Sequence, residues 1–493
     1  MPFIYLLLFA LICLQPIASW PAPPLGAQGC AILVGTLVLT SWLTAGIIAK
    51  ALGWQMMRHP EQRSLLLRRY SRWRRHHFVC LLLAYLALLY PLGWGEVFTT
   101  FWVEWTPWLS PLDKQQILAG KDVAMTFPGK EIALLAPFFV SLLLGWERFY
   151  QVEKTAYELV HDADHYLSRW TYLLLQVRHQ MLLVMPPMLL LLLQQILFTI
   201  FPEWDRESYL PAIIATVLMA ATFISMPILL RLFLGLRPLP PGPLRDRLQA
   251  TATRLRFGYS NVLVWHTRHL FANALVTGFI PWIRYIVLTD RLIEELTSDE
   301  IEAVFGHEVG HIKHHHLLFY FAFFLTSFIF LGMFWEAVRG WITRPEVSTY
   351  VQELPGIGQG VWEAMKTLSS FGKLGLLAGY TLLVFGFFSR RCERQADLFG
   401  AHTVSTDAFI SALEKVAYIN GIPRDRAGNW LLSWQHPTIA QRVEFLEEMR
   451  DHPARIPNFH RGIYLMQWTF YLTLGFLLWQ FELPIVWKLL AEF

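Results

Sequence analysis

The chain has 493 residues, of which 55% are hydrophobic and 16% charged, whereas about 25% are charged in ordinary soluble domains. A chain of this length is too long to fold around the single hydrophobic core of one ordinary soluble domain. The mean hydropathy of +0.38, with 21 tryptophans and 36 phenylalanines, is typical of a protein with many membrane spans. A net charge of +4 does not indicate a nucleic-acid partner. The four cysteines lack the spacing of a thiolate zinc site or a disulfide framework, so any metal would need histidine and carboxylate ligands.

Apolar runs long enough to cross a bilayer, about 20 residues each, recur along the chain. The first has two interpretations, a retained span or a cleaved signal peptide, and it favours a span because no basic segment precedes it. We therefore expect a mainly α, polytopic membrane protein. The runs lie at about 3–20, 31–49, 78–95, 131–146, 180–201, 209–235, 317–338, 371–389 and 463–487.

The segment 50–77, between the second and third runs, predicts the orientation. It holds eight lysines and arginines against Glu61 alone, and short loops with this bias stay in the cytoplasm. Contact of these charges with anionic lipid is compatible with the same orientation. Counting spans from this loop places residues 236–316 and 390–462 together in the cytoplasm, and these two segments have the polarity of a water-facing domain.

A His-Glu-x-x-His pattern occurs inside the first of these segments. Thr297 followed by Glu300 has the form of a capping box, which predicts a helix start. On that helix, His307 and His311 are four residues apart and project from one face, so both imidazoles can reach one zinc ion. Glu308 can then act as a general base toward a water molecule. The alternative is a cytoplasmic helix with surface histidines.

A catalytic zinc site needs a third protein ligand, and the sequence offers Glu393. The sequence excludes the metzincin pattern, because Leu317 occupies the position where that pattern has its third zinc-binding histidine. Asp397 lies one helical turn after Glu393 and can accept the outer N–H of a ligand histidine. The predicted membrane hairpin 317–389 returns Glu393 to the side where His311 left it. The alternative is a juxtamembrane helix of salt-bridged arginine and glutamate.

These patterns together resemble the gluzincin family that unites the Ste-type CAAX prenyl endopeptidases with the HtpX-like membrane proteases. The resemblance covers about residues 236–450 and is specific because its parts occur in order. They are Asn273-Ala274-Leu275, Ile286-Val287-Leu288-Thr289, the HEVGH segment, Glu393 to Asp397, His436-Pro437-Thr438, and Arg442.

The resemblance implies a metal centre with one zinc ion per chain. His307, His311 and Glu393 would be its ligands. Glu308 would be the general base, and Asp397 would support a ligand histidine from outside the first coordination shell.

The resemblance also implies how substrate is held. Asn273, Ala274 and Leu275 would lie on an edge strand to which the substrate peptide adds as a further strand. His436 and Arg442 would donate to the negative charge that develops on the scissile carbonyl oxygen. From the residues alone, His436 reads as part of a turn and Arg442 as a charge on a solvated helix.

Some features depart from the family. The third-ligand segment carries Gln395 where relatives often have a second acidic residue, and we expect Gln395 to face solvent. The chain has more predicted spans than its relatives, including 463–487 after the catalytic region. The two spans before Glu393 match the prenyl-protease layout, while the compact segment 236–306 is closer to the HtpX-like proteins.

The predicted fold is a mainly α, polytopic helical membrane protein with a cytoplasm-facing zincin-like domain that includes a small β edge strand. The N-terminal transmembrane region would cover 1–235, with about six spans and the basic cytoplasmic loop 50–77. The metallopeptidase domain would cover 236–460 and would be interrupted by the hairpin 317–389. A last transmembrane span would lie in 461–493.

The predicted function is zinc-dependent hydrolysis of peptide bonds in membrane-associated or misfolded membrane proteins. Removal of a C-terminal tripeptide from prenylated substrates is the alternative within the same chemistry. The alternatives without catalysis are a catalytically idle zinc-binding membrane protein and a transporter. The partners would be a peptide or membrane-protein substrate and the lipid bilayer of a plasma or inner membrane, without nucleic acid, and the oligomeric state stays open.

Overall fold

A computed structural model describes most of the chain. The described residues are 20, 22–119, 126–159, 166–181, 184–206, 210–267, 271–342, 344–354, 361, 376, 379–422, 424 and 437–481. They divide into two compact units, Met1–Ala215 and Thr216–Phe493.

The first unit is helical throughout its described part. Its helices are α1 (Gly26–Arg58), α2 (Arg63–Leu89), α3 (Trp94–Trp105), α4 (Pro111–Leu118), α5 (Lys130–Leu134), α6 (Ala136–Glu158), α7 (Arg169–Met181), α8 (Met185–Ile200) and α9 (Glu203–Arg206), and α10 (Leu210–Leu234) leads into the second unit.

Among the described helices, α1 and the part of α10 from Thr216 to Leu234 are long and apolar enough to cross a membrane. A third candidate is the pair formed by α2 and α3, which is bent by 61°. The run at 180–201 is divided between α7 and α8, and α8 has proline near its first residue, where it interferes least with a helix. The run at 3–20 lies outside the described residues.

The basic segment 50–77 is not the loop that we expected. Helix α1 continues to Arg58, a single 3₁₀ turn occupies Pro60–Gln62, and α2 begins at Arg63. Arginine, leucine and glutamine favour helix, so both helices run on past their apolar runs. The chain turns before Pro60, because proline restricts the preceding residue and lacks the N–H that would continue helix α1.

A small sheet opens the second unit. Its described strands are β1 (Arg237–Pro238), β2 (Asn261–Trp265), β3 (Ala274–Thr277) and β4 (Tyr285–Thr289), in the spatial order β1-β2-β4-β3. β2 pairs with β4 in parallel, and β3 pairs with β4 antiparallel, with Ala274 opposite Leu288. β3 is therefore an edge strand, as predicted.

Helices make up most of the rest of the second unit's described part. They are α11 (Pro243–Arg254), α12 (Asp290–Glu295), α13 (Ser298–Lys313), α14 (His316–Ile342), α15 (Pro345–Gln352), α16 (Gly386–Thr403), α17 (Thr406–Ile419), α18 (Ile439–Asp451) and α19 (Ile456–Phe481). The core between the sheet and α13 contains Ile286, Leu288, Ile301, Phe305 and Val309, all buried. The predicted combination of a helical protein with a small edge-strand sheet is confirmed.

Candidate metal centre and active site

Helix α13 carries the His-Glu-x-x-His residues, and its start is fixed by the predicted capping box. Thr297 accepts a hydrogen bond from the Glu300 backbone N–H, and the Glu300 carboxylate accepts one from the Thr297 N–H at 2.8 Å. Ser411 and Lys415 of α17 also donate to Glu300. Burial raises the pKa of Glu300, but Lys415 and these hydrogen bonds outweigh burial and hold that pKa below its usual value. The start of α13 is thereby tied to α17.

The two histidines of α13 lie side by side in the interior. The Nε2 atoms of His307 and His311 are 3.3 Å apart, because residues four apart share one helical face. Each residue is 8% exposed. An arrangement of surface histidines, the alternative left open by the sequence, does not fit this burial.

Glu393 of α16 joins the two imidazoles. Its carboxylate oxygens lie 3.8 Å from His307 Nε2 and 3.6 Å from His311 Nε2. One ligand atom from each of the three residues lies within 4.8 Å of the others, and all three residues are buried. Two imidazole nitrogens and one carboxylate form a donor set that suits zinc. The residues present therefore fit a metal ion.

Close contact between α13 and α16 places these ligands together. A Cβ atom at Gly306 would lie 2.2 Å from Thr403 Oγ1, and one at Gly400 would lie 2.9 Å from the Ala303 carbonyl oxygen. A Cβ at Gly310 would lie 3.1 Å from the Ala396 Cα. Glycine at these positions lets the two helical backbones approach each other, so that Glu393 reaches both histidines.

Asp397 contacts His307 at Nδ1, the ring nitrogen other than the one that lies near Glu393. Its Oδ1 lies 3.0 Å from His307 Nδ1, and the side chain is fully buried. Burial raises the pKa of Asp397, but Arg442 and His307 outweigh it and hold the pKa of this carboxyl below its usual value. Burial lowers the pKa of His307, and Asp397 and Glu393 more than offset that effect.

Arg442 of α18 forms an ion pair with Asp397 that the sequence did not predict. Its Nε donates to Asp397 Oδ2 at 2.9 Å, and a terminal nitrogen donates to Oδ1. The guanidinium thus binds the Asp397 carboxylate through two parallel hydrogen bonds, the strongest geometry for an arginine–carboxylate pair. Arg442 also lines the cavity beside the metal ligands. The expectation from the residues alone, a solvated helix charge, is wrong for Arg442.

The other predicted site residues are distributed around the same cavity, with one exception. Glu308 is buried at 8% exposure and lines the cavity. His436 lies outside the described residues. The two residues after it are described: Pro437 is buried, and Thr438 caps α18 through a box with Gln441.

An open cavity of about 500 Å³ lies over the three ligands. Asn273, Ala274 and Leu275 line it at the edge strand. The Thr289 N–H donates to the Asn273 carbonyl, and hydrogen-bonded positions alternate along an antiparallel pair. Because of this alternation, the backbone groups of Ala274 point away from β4. The cavity lining also includes six apolar residues: Leu292, Val304, Phe409, Ala412, Leu413 and Val416.

Comparison with known proteins agrees with this geometry. Residues 238–450 match the family model for peptidase family M48. Over this segment the chain is similar to the M48 peptidases.

Individual relatives are similar to parts of the chain. The protease HtpX of Pseudomonas paraeruginosa is 30% identical over 191 residues, which are 36% of this chain and 62% of that protein. The protease HtpX of Pseudomonas syringae pv. tomato is 26% identical over 189 residues, 36% of this chain and 61% of its own length. The chain thus spans about three fifths of the length of these curated relatives. A crystal structure of S. mikatae Ste24p aligns with a TM-score of 0.49 at 17% identity, covering 86% of this chain and 100% of that one.

Sequence reasoning missed a set of buried polar residues behind the candidate metal ligands. Gln395 was expected to face solvent, and this is wrong, since it is fully buried. Two residues beyond Glu393, Gln395 lies on a different face of α16, and that face contacts His316 of α14 and His460 of α19. Helical periodicity predicts the face of a residue, but it does not predict which later helices will cover that face.

Proposed function

We propose that this protein is a zinc-dependent integral membrane endopeptidase of the M48 family that hydrolyses peptide bonds of membrane-associated or misfolded membrane proteins. The observation that carries the proposal is the convergence of His307, His311 and Glu393 on one buried point, with Glu308 beside them in an open cavity. A transporter or an idle binding protein has no need of a buried carboxylate in the place of a general base.

His307, His311 and Glu393 would hold one zinc ion per chain through two Nε2 atoms and a carboxylate oxygen. When bound, zinc polarises a peptide carbonyl and makes a water molecule more acidic. Glu308 then removes the proton of the attacking water and passes it to the departing amine. Asp397 directs the His307 Nδ1–H toward itself and so leaves the Nε2 lone pair for the metal.

The substrate would bind as an added strand along β3. Asn273, Ala274 and Leu275 border the cavity, and the outward backbone groups of Ala274 can bond an extended peptide. This arrangement recognises backbone, which suits an enzyme acting on many unfolded sequences. The apolar residues of the cavity lining would accept an apolar side chain of the substrate, because burial of such a side chain is favourable.

Charge on the scissile carbonyl oxygen would be stabilised by Arg442 and His436. The guanidinium has five N–H groups, so donors remain after the two that bind Asp397. Arg442 lines the cavity, which supports this role. The role of His436 rests on the family resemblance and on its position immediately before the buried Pro437.

The catalytic unit would comprise residues 236–460, interrupted by the membrane hairpin 317–389 and followed by a last span within 461–493. Residues 1–235 would form the N-terminal transmembrane region. The charge bias of 50–77 supports a cytoplasmic active site in a plasma or inner membrane.

Metal removal from the purified full chain tests the proposal. We expect cleavage of an unfolded protein such as casein, loss of that cleavage after treatment with a zinc chelator, and recovery on adding Zn²⁺. A prenylated peptide ending in a CAAX sequence is assayed beside it. Cleavage that persists in the metal-free protein would contradict the mechanism. Cleavage of the prenylated peptide alone would replace the proposed substrate class with the narrower one.

A further inference from the structure

A row of buried polar side chains extends from the metal centre toward the C-terminal helix. His311 Nδ1, the nitrogen that faces away from Glu393, lies 3.0 Å from His316 Nδ1. His316 Nε2 lies 3.0 Å from Gln395 Oε1, and Gln395 Nε2 lies 2.7 Å from His460 Nδ1. His316 and Gln395 are fully buried. Each contact has hydrogen-bond length.

The contacts permit one consistent direction for the hydrogens. If His311 binds a metal through Nε2, its Nδ1 carries a hydrogen and donates to His316 Nδ1. His316 must then carry its own hydrogen on Nε2 and donate it to the Gln395 oxygen. The Gln395 amide N–H in turn donates to His460 Nδ1. Each of these three hydrogen bonds then has one donor and one acceptor, as buried polar groups require.

The row connects elements that are far apart in the chain. His311 belongs to α13, His316 begins α14, Gln395 belongs to α16 and His460 to α19. The family match ends at residue 450, so His460 lies beyond it. Helix α19 makes a separate contact with the same region, since Gln467 Nε2 donates to the His314 carbonyl at 3.0 Å.

We propose that His316, Gln395 and His460 are positioning residues that hold His311 in its metal-binding tautomer and orientation, so that helix α19 is part of the metal centre. The inference rests on the proposed function, because it requires a metal at His307, His311 and Glu393. In it, His311 receives from this row the support that His307 receives from Asp397. Hydrogen-bonded partners of metal-ligating histidines raise the basicity of the ligand and fix its ring.

A pair of variants at His460 tests the proposal in the purified full chain. His460→Leu removes the acceptor at the end of the row, whereas His460→Asn puts an amide oxygen near the place of Nδ1. The measured quantity is the Zn²⁺ dissociation constant, from competition with a chelator. We expect His460→Leu to weaken Zn²⁺ binding by about tenfold, the low end of the effect of such partners. His460→Asn should recover most of that loss.

Gln467→Leu is the matched control. It removes a hydrogen bond between α19 and residue 314 without touching the row, and we expect wild-type zinc affinity. Unchanged affinity in His460→Leu would overturn the proposal. Equal weakening of zinc binding in His460→Leu and His460→Asn would also overturn it. So would equal weakening in Gln467→Leu and His460→Leu, because either result would assign the effect to the packing of α19 against the domain. A wild-type chain that binds no zinc would instead overturn the proposed function.

Discussion

Asp397 connects the metal ligands to the fold of the second unit. This fully buried carboxylate accepts both hydrogen bonds of Arg442 on one side and lies 3.0 Å from His307 Nδ1 on the other. A buried charge is tolerated when it is paired and hydrogen-bonded in this way. Asp397 thus contacts the ring of His307, a proposed ligand, and connects α18 to α16.

Asp397→Asn should therefore weaken the metal site. The amide keeps the shape of the side chain but removes the charge, so that Arg442 is left without its partner and His307 loses its strongest acceptor. We expect zinc affinity to fall about 10- to 100-fold, measured by chelator competition. Asp407→Asn is the control, because this exposed carboxylate pairs with Arg450 on the protein surface. Equal zinc affinity in both variants would show that Asp397 does not support His307.

At the scale of elements, the contact between α13 and α16 decides whether the three ligands meet. The capping box starts α13 at the predicted residue, and the helix rule places His307 beside His311. Neither pattern predicts how near α16 lies. That distance depends on Gly306, Gly310 and Gly400, which have no side chain to separate the backbones.

Gly306→Ala should disturb this contact. Its Cβ would lie 2.2 Å from Thr403 Oγ1 and 2.6 Å from Thr403 Cβ, so one helix must move. Overpacking of this kind costs about 1–3 kcal/mol, and we expect a lower melting temperature together with weaker zinc binding. Gly462→Ala in α19 is the control, since nothing lies within 4 Å of a Cβ there. If Gly306→Ala melts at the same temperature as Gly462→Ala, the contact is not as close as described.

The sequence predicted local features well and features that depend on packing poorly. The helix start at Thr297 and the shared face of His307 and His311 follow from short-range rules. The edge strand at Ala274 was implied by the family resemblance, and the structure has all three features. Gln395 was misplaced because the helix that covers it, α19, begins 61 residues later in the chain. The grip of Arg442 on Asp397 was also missed, because no local pattern joins residues on separate helices.

At the scale of the whole molecule, orientation in the membrane remains a prediction. It rests on the basic segment 50–77, whose charges lie on the ends of α1 and α2 and not on a loop. The positive-inside rule still applies to this segment, because it counts positive charges close to the membrane and does not depend on their secondary structure. Segment 390–462 should then face the cytoplasm, and segment 96–130 the opposite side.

Cysteine labelling tests this orientation. In a Cys80→Ser background, which removes an exposed thiol, Tyr418→Cys places a cysteine at a side chain that is 88% exposed. We expect a membrane-impermeant maleimide to label it in inside-out vesicles and not in intact cells. Trp108→Cys, at a position 46% exposed, should show the reverse. Labelling of Tyr418→Cys in intact cells would place the active site on the outer side.

Zinc content and cleavage rate, measured in one preparation of Glu308→Gln, separate metal binding from the proton transfer assigned to Glu308. The three ligands are intact in this variant, so we predict one zinc ion per chain, as in the wild type. Without the carboxylate, no base takes the proton from the attacking water, and the rate of casein cleavage should fall about 100- to 10,000-fold. Undiminished cleavage by zinc-loaded Glu308→Gln would contradict the account.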